Sequence, residues 1–346
     1  MAMRERDETA ARETCWTLSD GSAGMESQCL GLAEALGLMP TAKRVRRRPL
    51  QALLPPHWLP ARLFLEESAE PERRIAPPWP DVVISCGRTA VGYALAIKRL
   101  SEGRSFAVHV QNPHVPVRLF DLIAAPEHDR LSGANVISTR GALHRVNALK
   151  LRAGAQRFGA TLAHLPRPLI AVLIGGTNRA YRFEPEDARA LAQRLLRFAE
   201  GHGAGLALTL SRRTGEAATA ALKEALAGHP NCWLWEGTGE NPYFGLLGLA
   251  DAVVVTCDSI SMVSEACATG RPVYVVELKG RGSRRFDRFL DDFVRAGMAR
   301  RFADKLEEWR YAPLDEAERV AEEVRRRRRA LEPQPASPTA RQGGPL

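Results

Sequence analysis

Residues 250–278 read ADAVVVTCDSISMVSEACATGRPVYVVEL. Asp258, Ser259 and Ser261 sit where an apolar run gives way to a helical pattern, and Glu265 follows Ser261 by four residues. That spacing puts Ser261 and Glu265 on one face of a helix. The first turn of a helix carries N–H groups without intrahelical partners and the positive end of the helix dipole. Hydroxyls and a carboxylate around such a turn suit an anionic, hydroxyl-bearing ligand such as a nucleotide sugar, with phosphate at the turn. The same residues also suit plain helix capping, and the segment by itself leaves both readings open.

Two other loops carry groups suited to that ligand. GGTN at 175–178 follows the apolar run 169–174. Gly175 and Gly176 let backbone approach a ligand closely, Thr177 adds a hydroxyl and Asn178 an amide. SRRTG at 211–215 follows the run 206–210, and after Ser211 the adjacent guanidiniums of Arg212 and Arg213 can pair with a diphosphate. A flexible turn and a surface ion pair are the plainer alternatives for these two loops. If the runs are parallel strands, all three loops leave one edge of one sheet, and that convergence favours an anion site. No GxGxxG follows a strand and no GxxxxGK[ST] occurs, which argues against a nicotinamide dehydrogenase and a P-loop NTPase.

These loops need strands to hold them, and the chain alternates strand-like and helix-like segments twice. In the first half the expected strands are 14–18, 42–45, 81–85, 106–110, 122–124 and 136–138, with helices at 26–36 and 90–100. Residues 46–80, rich in proline and arginine, read as irregular with a short helix at 62–67. In the second half the strands are 169–174, 206–210, 232–235, 252–256 and 273–276. The helices there are 185–200, 216–227, 243–249, 261–269, 285–296 and 314–330. This alternation predicts an α/β protein: two Rossmann-like, doubly wound domains facing a cleft, with ligands outside the carboxyl ends of the strands. The expected organisation is a disordered N-terminus (1–12), a first domain (13–150) and a linker (151–168) that contains Pro166 and Pro168. A second, nucleotide-binding domain (169–312), a C-terminal helix (313–331) and a disordered tail (332–346) follow.

In the first half SDGSAG at 19–24 joins a strand to a helix, and Asp20 there either acts as a general base or caps the turn. SCGR ends another strand, where Arg88 reaches either an anion or solvent. HVQNPH brings His109, a base candidate or a structural histidine, and His114. No GxSxG elbow and no diagnostic Cys–His spacing supports nucleophilic hydrolysis.

The 346 residues, 45% hydrophobic and 26% charged, fit a two-domain globular protein. The longest apolar runs fall far short of the roughly 20 residues of a membrane span. The first fifteen residues lack the apolar core of a secretory signal. Six scattered cysteines suit buried thiols in a reducing, cytoplasmic setting, and no Cys/His spacing suggests a metal. The net charge of +9 fits an anionic partner. Five consecutive arginines, Arg325, Arg326, Arg327, Arg328 and Arg329, offer peripheral contact with an anionic membrane or simply a solvated helix face. The aromatic interleaving of a single-strand nucleic-acid platform is missing.

WTLSDGSAGMESQCLGLAEALG, VVISCGR, HVQNPH, LIGGTN, SRRTG, NPYFGLLGLAD and VVVTCDSISMVSEACATGRPVYVVEL together resemble the mitochondrial-fission (elongated-mitochondria) protein family, in its bacterial type, over roughly residues 14–310. The resemblance implies a GT-B-like plan, shared with two-domain glycosyltransferases and with non-hydrolysing sugar-nucleotide epimerases. By the same likeness Ser259 or Ser261 meets the donor diphosphate, Glu265 takes the ribose hydroxyls and GGTN is the glycine loop of the domain. Where the GT-B turn often carries glycine, this chain has Ser261 and Met262. The expected function is a GT-B-like protein binding a UDP- or GDP-type nucleotide sugar and transferring the sugar to an unknown acceptor, with no metal or other cofactor required. The alternatives are a non-enzymatic adaptor on the same scaffold and a sugar-nucleotide epimerase.

Overall fold

In the first half, short runs in which nearly every residue is apolar alternate with helical patterns. Such runs suit parallel strands covered on both faces. The structure, a computed structural model, describes residues 13–52 and 54–331. The expected disordered segments 1–12 and 332–346 lie outside them. β1 (Cys15–Ser19), β2 (Pro40–Arg44), β3 (Val82–Cys86), β4 (Phe106–Val110), β5 (Leu122–Pro126) and β6 (Val136–Thr139) pair in parallel, in the order β2-β1-β3-β4-β5-β6. Helices α1 (Ala23–Ala35) and α2 (Arg88–Leu100) pack on this sheet, and residues 49–64 between them contain short 3-10 turns.

The second sheet holds β7 (Leu169–Ile174), β8 (Gly205–Leu210), β9 (Cys232–Leu234), β10 (Ala252–Thr256), β11 (Val273–Val276) and β12 (Ala299–Arg301). It is also wholly parallel, in the order β12-β11-β10-β7-β8-β9. Read from β9, this is the strand order of dinucleotide-binding sheets, which reverses direction between β7 and β10. In such sheets the crevice at the reversal is where ligands bind. The first sheet reverses between β1 and β3.

Helices α3 (Ala148–Leu162), α4 (Pro185–His202), α5 (Glu216–Leu226), α6 (Tyr243–Leu249), α7 (Ile260–Cys267) and α8 (Arg284–Arg295) complete this half. α4 illustrates the local logic. Glu184 and Asp187 form a reciprocal capping box, Pro185 occupies the first turn, and Leu191, Leu195 and Phe198 put one apolar stripe into the core.

Two features depart from the expected organisation. The segment read as a linker is mostly α3, a fifteen-residue helix capped by Asn147, whose side chain accepts from the Lys150 N–H. A Cβ on its Gly154 would lie 2.6 Å from the Gly245 nitrogen of α6, so glycine there permits two helix backbones to touch. The three residues of β12 were too few to register as a strand.

The last helix, α9 (Glu316–Leu331), returns to the first domain, where Val320, Ala321 and Val324 join the core with Cys29, Leu32 and Ala33 of α1. Its arginines follow. Arg325 donates to the Ala35 carbonyl and pairs with Glu318, Arg326 and Arg327 pair with Glu323, and Arg328 pairs with Glu13. Of that run only Arg329 lacks an ion pair among the described residues. No helix among the described residues is long and apolar enough to cross a membrane.

Candidate functional site

Strand register decides which loops can meet. Ile174 lies opposite Leu210, and Leu173 opposite Val255, so the loops after β7, β8 and β10 leave the sheet at one level. They converge on Asp258, whose side chain is fully buried. Its Oδ1 accepts the Thr256 hydroxyl at 2.7 Å. Its Oδ2 accepts the Gly176 N–H at 3.0 Å and Arg213 Nη2 at 2.7 Å. The Gly175 N–H donates to Thr256 Oγ1, and a Cβ on Gly175 would lie 2.1 Å from Asp258 Oδ1, so no larger residue fits there.

The rest of the three loops is knitted in the same way. Asn178 Nδ2 donates to the Asp258 carbonyl, while its Oδ1 accepts from the amides of Ala180 and Tyr181. Thr177 donates its N–H to the Arg213 carbonyl and accepts the Phe183 N–H on Oγ1. Ser211 Oγ accepts the Arg213 N–H. Gly175, Gly176, Thr177, Asn178, Ser211, Arg213 and Asp258 were expected to face a ligand. Most of their polar groups bond within and between the loops and form the frame of the site, while Thr177 and Arg213 stay open to solvent. A buried carboxylate is tolerable only when donors surround it, and that demand drew these groups inward.

The outward-facing groups are fewer. Arg212 is exposed and has no ion pair among the described residues. Ser259 caps α7 by accepting the Met262 N–H at 3.3 Å, which leaves the other first-turn amides for a ligand. Ser261 faces the first domain: a Cβ on Gly24 of α1 would lie 3.2 Å from its Oγ. One turn on, Glu265 accepts the Tyr243 hydroxyl at 2.6 Å and the Ser27 hydroxyl of α1 at 3.1 Å. The SDGSAGMESQ and CDSISMVSEA segments therefore meet across the cleft. Sequence reasoning missed Ser27 and Tyr243, although Ser27 lies one helical turn beyond Gly24 and so shares its face.

Burial pushes the Glu265 carboxyl above its usual range, although Tyr243 and Ser27 offset part of the shift by donating to it. Burial, with Glu265 adding to it, pushes the Tyr243 hydroxyl well above its usual value. A carboxyl raised on folding favours the folded state at low pH, and that advantage fades as the pH rises through the folded value. Glu265→Gln cannot ionise and keeps an acceptor for Tyr243. In urea melts the variant should therefore be at least as stable as the parent at pH 8, with its relative advantage shrinking towards pH 4. A variant markedly less stable at pH 8 would contradict this account.

The two candidate bases part company. Asp20 is exposed at the end of β1, where its Oδ1 accepts the Ser22 N–H at 2.9 Å. His109 lies within β4, fully buried, with Nδ1 2.8 Å from Ser85 Oγ and its ring packed on Phe120. Burial pushes its imidazole down to about 3. Full burial within the sheet does not suit the role of cleft base expected of His109. A polar residue inside an all-buried strand faces the core whatever its chemistry.

The family model for mitochondrial fission ELM1 matches residues 23–328. The chain belongs to that family. Among curated ELM1 relatives, the mitochondrial fission protein ELM1 of Arabidopsis thaliana is 32% identical over 273 residues, 71% of this chain and 64% of the plant protein. The chain thus spans 64% of the length of that relative. An uncharacterised protein of Rickettsia prowazekii is 27% identical over 285 residues, 71% of this chain and 79% of its own. Among solved structures, the UDP-GlcNAc 2-epimerase of Methanocaldococcus jannaschii superposes with a TM-score of 0.53 at 13% identity, covering 91% of this chain and 99% of that one. At that identity the likeness is one of fold, and the ELM1-family fold here is GT-B-like: two Rossmann-like domains facing a cleft.

Proposed function

We propose that the chain binds a nucleotide sugar in the cleft and transfers the sugar to an acceptor without need of a metal or other cofactor. One observation carries this reading. At the reversal of the second sheet the loops are locked by Asp258 so that Arg212 and the first turn of α7 are left outward, with Glu265 one turn further on. Rigid donors beside a helix N-terminus stabilise the charge that grows on a departing diphosphate. The ribose hydroxyls take the place of Ser27 on Glu265. In the transfer step an acceptor hydroxyl attacks the anomeric carbon, the bond from that carbon to the diphosphate oxygen breaks, and the acceptor proton passes to a base. Asp20 is the candidate base at the end of β1.

Titration with UDP- and GDP-sugars tests this directly. Removing one charge-assisted contact is worth about 1.5–3 kcal/mol, so Arg212→Ala should weaken nucleotide binding about 10- to 100-fold. Its melting temperature should stay unchanged, because the side chain is exposed. Failure of every nucleotide to bind the parent would remove the reading.

A second reading is a non-enzymatic adaptor, in keeping with the family match. It is favoured by Glu265 already having both oxygens satisfied within the protein. An adaptor would show no response to any nucleotide, and the closed contact between α1 and α7 would be permanent.

A further inference from the structure

We propose that the first domain carries an anion site of its own, fitted to a phosphomonoester on the acceptor; the acceptor role rests on the transfer reading above. A cavity of about 280 Å³ opens at the carboxyl ends of β3 and β4. Arg47, Arg88, Thr89 and His114 line its polar side, and no carboxylate lines it. Pro56, Phe64 and Val115 line the rest, which gives space and apolar surface for a carbon skeleton beyond a bare phosphate.

The cavity opens on the sheet edge from which the first domain reaches the second. The loop after β1 leads into α1, whose Gly24 and Ser27 meet Ser261 and Glu265. The turn after β5 meets α8, where Arg285 Nε donates to His128 Nε2 at 2.8 Å and lies 3.5 Å from Asp129. In the sheet β3 and β4 lie between β1 and β5. Their loops therefore leave the sheet between two contacts that bridge to the second domain. The β1/β3 boundary is also where the first sheet reverses, the position favoured for ligands in such sheets.

The chemistry matches a dianion. Arg88 opens the thirteen-residue α2, is exposed, and has no ion pair or hydrogen bond among the described residues. Guanidiniums fork onto phosphate oxygens, and the helix N–H groups beside Arg88 add to the same field. The turn that carries His114 is held in an uncommon form: Gln111 and His114, neither of them glycine, have φ of 81° and 54°. Non-glycine residues held in such conformations cluster at ligand sites.

The test is calorimetric titration of the full chain with glycerol 3-phosphate, with inorganic phosphate in parallel. Glycerol 3-phosphate should bind the parent more tightly than phosphate, and saturating UDP or GDP should not displace it. Arg88→Ala should weaken it at least tenfold and Arg88→Lys less, while Arg212→Ala leaves it unchanged. Circular-dichroism melts of each variant confirm folding, which the exposed position of Arg88 favours. Equal affinity for both probes would overturn the phosphomonoester assignment. Displacement by nucleotide, or binding indifferent to Arg88→Ala, would overturn the site. If no nucleotide binds but glycerol 3-phosphate binds through Arg88, the transfer reading fails and the anion site stands.

Discussion

Asp258→Ala lowers the unfolding free energy by about 2–6 kcal/mol, because it orphans two buried donors at about 1–3 kcal/mol each. Those donors are the Gly176 N–H and the Thr256 hydroxyl. The third partner, Arg213, is 44% exposed and regains water. Urea denaturation checks the magnitude. The adjacent arginines should then behave differently. Arg213→Ala removes the one cation that, among the described residues, touches a fully buried carboxylate, and so destabilises the protein, whereas Arg212→Ala leaves stability alone and costs nucleotide affinity. If Asp258→Ala melts like the parent, the frame described for this edge is not what holds the loops together.

Acidification supplies the second large effect. The His109 imidazole is held at about 3 in the fold against 6.5 for the free group. Below 6.5 the unfolded chain therefore binds a proton that the folded chain refuses. Stability present above pH 6.5 is lost as the pH falls towards 3, at up to about 1.4 kcal/mol per pH unit. Other groups titrate in the same range, so the measure is the difference from His109→Leu, which cannot take up that proton. Between pH 6 and 4 the parent should lose more stability than the variant by close to that slope. Parallel curves would mean that His109 is reached by water in the fold.

The fold was largely legible because its signals are local and repetitive. Runs such as LIAVLI at 169–174 are apolar throughout and alternate with helical patterns, which points to a parallel sheet. α3 was missed because Gly154 weakens helix propensity, and the compensating contact comes from α6, some ninety residues away. The N-cap Asn147 was the local signal available. The site was legible in position but not in role. The polar loops do gather on one edge, yet from sequence a carboxylate that binds ligand and one that binds loops look alike. Asp258 turned inward and drew the Arg213 guanidinium onto it because burial of one charge demanded partners, a constraint that exists only after the strands pair. The same holds for His109, whose strand neighbours, and not its own chemistry, decide its surroundings.

The chain passes between the domains twice, outward after β6 and back before α9, and the two passages run side by side. The Arg140 N–H donates to Glu316 Oε1 at 2.9 Å, and a Cβ on Gly141 would lie 2.6 Å from Leu314 Cδ2. Paired crossings of this kind work like a second row of stitches in a seam: the domains are joined here as well as at the Ser27–Glu265 contact, so loss of that contact alone does not set one domain free of the other.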